Sequence, residues 1–131
     1  MAIDLDIQWV WLDDIKVCLW VTARGALTVE DFEEMLCRFG EAFIAIDAPA
    51  VLDLRHARWD FNEADIIEIV SAFTKAGLRI DNKIALVCAR DIDHYGQLMV
   101  IASAASNRSF KARAFYDLDG ALKWLVKEWN D

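Results

Sequence analysis

The first two strand-length segments alternate between apolar and polar residues, and then the period changes. Residues 5–12 (LDIQWVWL) place Leu5, Ile7, Trp9 and Trp11 on one face, and residues 15–23 place Ile15, Val17, Leu19 and Val21 together. A period of two predicts strands, and Asp13-Asp14 between them predicts a tight turn, hence a β-hairpin. Thr28 stands three residues before Asp31, a capping-box spacing. Phe32, Leu36, Phe39 and Phe43 then recur at helical spacing, which predicts an amphipathic helix over 29–46. Beyond Pro49, the run from Ala50 to Leu54 is nearly all apolar, as in a parallel strand covered on both faces.

The alternation of strand and helix continues. Asn62 and Asp65 repeat the capping spacing before a helix over 63–76, striped by Ile66, Ile69, Val70 and Phe73, with Gly77 at its C-cap. KIALVCA (83–89) predicts a second buried strand, and Leu98, Ile101, Ala102 and Ala105 stripe a helix over 94–107. Residues 112–116 predict the last strand. Asp117 caps a final helix carrying Leu118, Ala121, Leu122, Leu125 and Trp129 on its apolar stripe. The order β-β-α-β-α-β-α-β-α implies an α/β fold in one domain over 1–131. Its sheet is mixed and five-stranded, with an antiparallel N-terminal hairpin strand, the remaining strands parallel and four helices. All four helices are expected on one side of the sheet. The tryptophans of the first strand are expected in the core.

Composition narrows the function classes. At 131 residues, 56% hydrophobic and 27% charged, the chain can build a packed core. Its net charge of −8 argues against non-specific nucleic-acid or anionic-membrane binding, and no nucleic-acid partner is expected. No apolar run approaches the roughly 18 residues of a membrane span. Met1 is followed by Asp4 and Asp6 rather than by a basic and then an apolar region, so no secretory signal is expected and the location is expected to be cytoplasmic. Cys18, Cys37 and Cys88 are odd in number and form no CxxC pair. All three are expected to be small buried hydrophobes, and neither a metal nor a cofactor is expected.

Several segments carry a family resemblance. They are VTARGALT (21–28), VLDLR (51–55), KIALV (83–87), AFYD (114–117) and ALKWL (121–125), in that order. Together the chain resembles the SpoIIAA-like, or STAS-like, family of small bacterial proteins over about residues 5–126. The resemblance implies a SpoIIAA-like sheet with strand order following the sequence. It also points to relatives among anti-anti-sigma factors, transporter STAS domains and CRAL-TRIO lipid-binding domains. Regulatory members carry a phospho-acceptor at the start of the helix after the V-L-D-L strand. Here that stretch is Phe61-Asn62-Glu63-Ala64-Asp65, so Asn62 and Glu63 stand where a hydroxyl would be and the acceptor is absent.

Candidate chemistry lies in two segments at the carboxyl ends of strands, where α/β sheets bind ligands. One contributes Arg55, His56 and Arg58, the other Arg90, His94 and Tyr95. One reading is an anion site built from arginine forks and a helix N-terminus. The other is solvated loops whose arginines and aspartates pair with each other. No nucleophile accompanies either histidine in sequence, so no catalytic residue is assigned. The acidic residues Glu30, Asp31, Glu33 and Glu34 form either a solvated helix face or a docking surface for a basic partner.

The hairpin's second face is not polar, since Val10, Leu12, Cys18 and Trp20 lie there. An uncovered apolar face predicts an interface, and a homodimer is the simplest way to cover it. The expected function is a non-enzymatic module that works through an unidentified protein partner in bacterial regulation. The alternative is a small-ligand protein, taking an anion or, as CRAL-TRIO domains do, an apolar lipid.

Overall fold

The computed structural model describes residues 4–11, 17–45, 48–75, 83–106 and 111–126. The expected Asp13-Asp14 turn, Leu12, Gly77 and Trp129 lie outside them, as do the side chains of Phe39 and Phe43. Five strands form one sheet in the order β1-β2-β3-β4-β5. They are β1 (Asp4–Trp11), β2 (Val17–Ala26), β3 (Ala50–Arg58), β4 (Lys83–Cys88) and β5 (Lys111–Phe115). β1 runs antiparallel to β2, and the other neighbours are parallel.

The helices are α1 (Val29–Ala45), α2 (Glu63–Lys75), α3 (Ile92–Ser106) and α4 (Leu118–Val126). α1, α2 and α4 begin at the cap residues that their sequence marks. Thr28 and Asp31 exchange hydrogen bonds of 3.0 and 3.1 Å. Asn62 and Asp65 do the same at 3.0 and 2.9 Å. Asp117 accepts from the Gly120 amide at 2.6 Å. Each bond satisfies an amide that the helix itself leaves free.

The helices do not all share one side of the sheet, as the hydrophobic pattern had suggested. α1, α2 and α3 are crossovers between parallel strands. They lie over one face, where Phe32, Phe73, Leu52, Leu54, Ile84 and Leu86 have no exposed area. α4 follows β5, and no crossover between two described strands fixes its side of the sheet. It packs on the opposite face, where Ala121 and Leu125 meet Cys18, Val51, Ala85 and Val87. Lys83 ties it down: its Nζ donates to the Trp124 carbonyl at 3.1 Å and lies 5.2 Å from the Trp124 ring centroid.

Two expectations about the hairpin change with this packing. Cys18, on the face taken for an interface, is fully buried, and Val10 and Trp20 pack partly against the α4 cluster. The residues left in water are on the other face of β1: Ile7 is 39% exposed, Trp9 43% and Trp11 68%. α1 packs over β2, so the β1 tryptophans are not core residues.

Candidate functional site

β3 runs on to Arg58, past the point where the apolar run ends, and it contains the site's decisive irregularity. Its pairing with β2 steps from Thr22↔Asp53 to Arg24↔His56, so β3 spends one extra residue there. This is a β-bulge, a device that re-aims side chains and often lies beside functional sites. Leu54 and Ala57 face the three-helix core, while Arg55 and His56, adjacent in sequence, both line a depression on the opposite face. Gly25, one residue past the shift in β2, has φ 105°, a backbone conformation that side chains disfavour.

The depression holds about 370 Å³ and is lined by Asp6, Gln8 and Val10 of β1, Trp20, Thr22 and Arg24 of β2, and Asp53, Arg55 and His56 of β3. It occupies the part of the sheet that α4 leaves uncovered. At its floor Asp53 is 2% exposed. Arg55 donates to it from Nε at 2.9 Å and from Nη2 at 2.8 Å, and its amide donates at 3.2 Å. Burial pushes the Asp53 carboxyl up. The Arg55 hydrogen bonds and charge, with a hydrogen bond from Trp20, outweigh burial and leave it below the usual carboxylate range. Arg55 is correspondingly held above its ordinary value, chiefly by the hydrogen bond to Asp53.

The six candidate ligand residues divide among three places. Arg55 and His56 line the open-face depression. Arg58 is exposed at the end of β3, where its carbonyl accepts from the Leu27 amide at 2.8 Å. Arg90 and Tyr95 line a second depression of about 350 Å³ with Asp91, Ile92 and Tyr116, at the carboxyl ends of β4 and β5. There Arg90 lies 5.2 Å from the Tyr116 ring centroid, and Tyr95 meets Tyr116 edge-on at 4.9 Å.

His94 is engaged in packing. Its ring stacks on Trp59 at 4.0 Å, and its Nε2 lies 3.1 Å from the Trp59 carbonyl oxygen. Gln97, one turn on, accepts from Trp59 Nε1 at 2.9 Å and donates to the Phe61 carbonyl at 2.9 Å. The first turn of α3 is capped by Asp91, which accepts from the amides of Asp93 at 3.0 Å and His94 at 3.1 Å. The His94 amide is the main reason that the Asp91 carboxyl stays below its usual range.

At the start of α2, Asn62 and Glu63 are exposed, and Asn62 spends its side-chain oxygen on the cap. Sequence reasoning passed over Asp6, Gln8, Thr22, Arg24 and Asp53 as site residues. The signal for one of them was present: a carboxylate inside an apolar strand, with an arginine two residues on and therefore on the same face.

The architecture is a SpoIIAA-like fold: a mixed five-stranded sheet with four helices, its strands in sequence order. The chain is similar to the crystal structure of an uncharacterised protein from the DUF3478 family with a SpoIIAA-like fold, from Shewanella loihica PV-4. The two superpose with a TM-score of 0.61 at 19% sequence identity, over 96% of this chain and 97% of that one. No family model matches the sequence, and no curated protein matches it either. Among the described residues no helix is long and apolar enough to cross a membrane.

Proposed function

We propose that this chain is a non-enzymatic protein-interaction module whose first partner is a second copy of itself, joined along the β1 edge. The observation that carries this reading is the row of Ile7, Trp9 and Trp11 left in water on an edge strand. Exposed aromatic rows mark interfaces, and an edge strand offers its unpaired backbone groups to another strand.

The charge pattern of β1 favours a second copy. In an antiparallel pairing of two β1 strands centred on Gln8, Ile7 stands opposite the partner's Trp9, and Leu5 opposite the partner's Trp11. Asp6 then faces the partner's Val10, so no two carboxylates meet. One face of the joined edge becomes an unbroken apolar row, and cross-strand pairs of that kind stabilise a sheet.

Phosphorylation at the start of α2 has no part in this reading, because residues 56–66 contain no Ser, Thr or Tyr. An apolar ligand inside the core is disfavoured as well: Phe32, Phe73, Leu36, Leu52 and Leu54 are fully buried and packed. Amide hydrogen exchange across a concentration series tests the proposal. Slower exchange in residues 4–11 with rising concentration, and not elsewhere, is the expected result. Concentration-independent exchange there would overturn it.

A further inference from the structure

The α4-side face of the sheet changes character abruptly. Under α4 it is apolar, with Cys18, Val51, Ala85 and Val87. Past Trp20 it becomes polar, with Asp6, Gln8, Thr22, Arg24, Asp53 and Arg55. Burying a charge pair such as Asp53–Arg55 in a sheet stabilises no better than apolar residues of similar volume. The pair does something apolar residues do not: it fixes a guanidinium in one orientation. Asp53 takes up Nε and Nη2, so Nη1 is not used by that carboxylate. The bulge adds His56 beside it.

We propose that this depression binds a small monocarboxylate that carries its own hydrogen-bond donor, as an amino acid or a hydroxy acid does. Its carboxylate lies on Arg55, Arg24 and His56, and its donor lies on Asp6. The lining sets the ligand's charge. Asp53 neutralises Arg55, so the remaining charged lining groups are Arg24, with Asp4 beside it, and Asp6, one oxygen of which accepts from Gln8 Nε2 at 2.8 Å. Arg24 reaches Asp4 only at 3.9 Å, with both side chains at least half exposed, so little is lost when a ligand replaces that contact. A polyanion finds too little positive charge here, whereas a carboxylate with a donor matches both rim groups. A volume of about 370 Å³, at the small end of ligand pockets, admits such a ligand with room to spare. Trp20 supplies one apolar wall, and Thr22 adds a hydroxyl beside the arginines. This inference does not depend on self-association at β1.

The test is a titration of the full chain followed by nuclear magnetic resonance, with the arginine Nε–H, His56 and Trp20 indole signals observed. The probes are L-serine, L-lactate, acetate and inorganic phosphate. Serine or lactate should move the Arg55, Arg24, His56 and Trp20 signals saturably, with acetate about tenfold weaker for want of a donor. Saturation by serine alone identifies the amino acid, and saturation by lactate alone the hydroxy acid. Arg24→Gln should weaken either about tenfold, and Asp6→Ala, which removes the acceptor, should bring serine down to the level of acetate. Both substitutions are at exposed or rim positions, so the fold survives them. The proposal is overturned if no probe saturates, if acetate or phosphate equals serine and lactate, or if Arg24→Gln changes nothing.

Discussion

The ring of His94 stacks on that of Trp59 at 4.0 Å, and its Nε2 lies 3.1 Å from the Trp59 carbonyl oxygen. A carbonyl only accepts, so the imidazole presents an N–H there. This contact clamps the first turn of α3 to the end of β3. The two histidines therefore have opposite fates, His94 in packing and His56 at a solvent-facing site. His94→Ala should cost about 1–2 kcal/mol in urea unfolding. His56→Ala should fall within about 0.5 kcal/mol of the wild type.

Removing one partner of the Asp53–Arg55 pair should cost more than removing both. Arg55→Met leaves Asp53 buried without its guanidinium. The expected loss is about 2 kcal/mol, below the roughly 3–5 kcal/mol of a fully buried pair because Arg55 keeps 36% of its side chain exposed. The double variant Asp53→Leu with Arg55→Met should recover part of that loss. Chemical denaturation of the two variants side by side provides the check.

The same pair sets an acid dependence. The folded Asp53 carboxyl lies below its ordinary value of 3.8, which the unfolded chain regains. Its contribution is therefore complete above about pH 3.8 and disappears as pH falls through the lower folded value. Asp53→Asn should flatten the stability curve in that acid window and leave its slope near neutral pH unchanged.

Much of the chain's architecture was legible because period and cap chemistry agree. The Asn62–Asp65 box begins α2 where its spacing says, and Ile69 and Phe73 face the core. The place of α4 was not legible. Its amphipathic stripe says that it covers something, but not which face of the sheet. The bulge at Arg55–His56 left no mark in the pattern either, since it arises from the register between β2 and β3. For that reason the basic residues after Leu54 read as a loop. Trp9 and Trp11 misled for a related cause: alternation shows that a strand has an apolar face, not whether a helix reaches over it.

Thiol chemistry should separate the three cysteines. Burial pushes the Cys18 and Cys88 thiols up to about 11, whereas Cys37, expected to be buried with them, is exposed on α1. A disulfide reagent at neutral pH should therefore modify one thiol quickly under native conditions and all three only after unfolding. Mass mapping should place the fast label on Cys37.

The Asn62 cap of α2 can be tested by itself. Asn62→Ala should lower stability by about 1 kcal/mol through the lost cap. Asn62→Ser should restore most of it, because serine caps nearly as well. A serine there without stability rescue would mean that Asn62 has another task.

Sedimentation equilibrium at micromolar concentration, with the wild type beside Trp11→Glu, tests self-association at the β1 edge most directly. The wild type should sediment at twice its 14.9 kDa chain mass, and Trp11→Glu as a folded 14.9 kDa monomer. A wild type that stays at 14.9 kDa, or a Trp11→Glu dimer as tight as the wild type, would contradict the proposed interface.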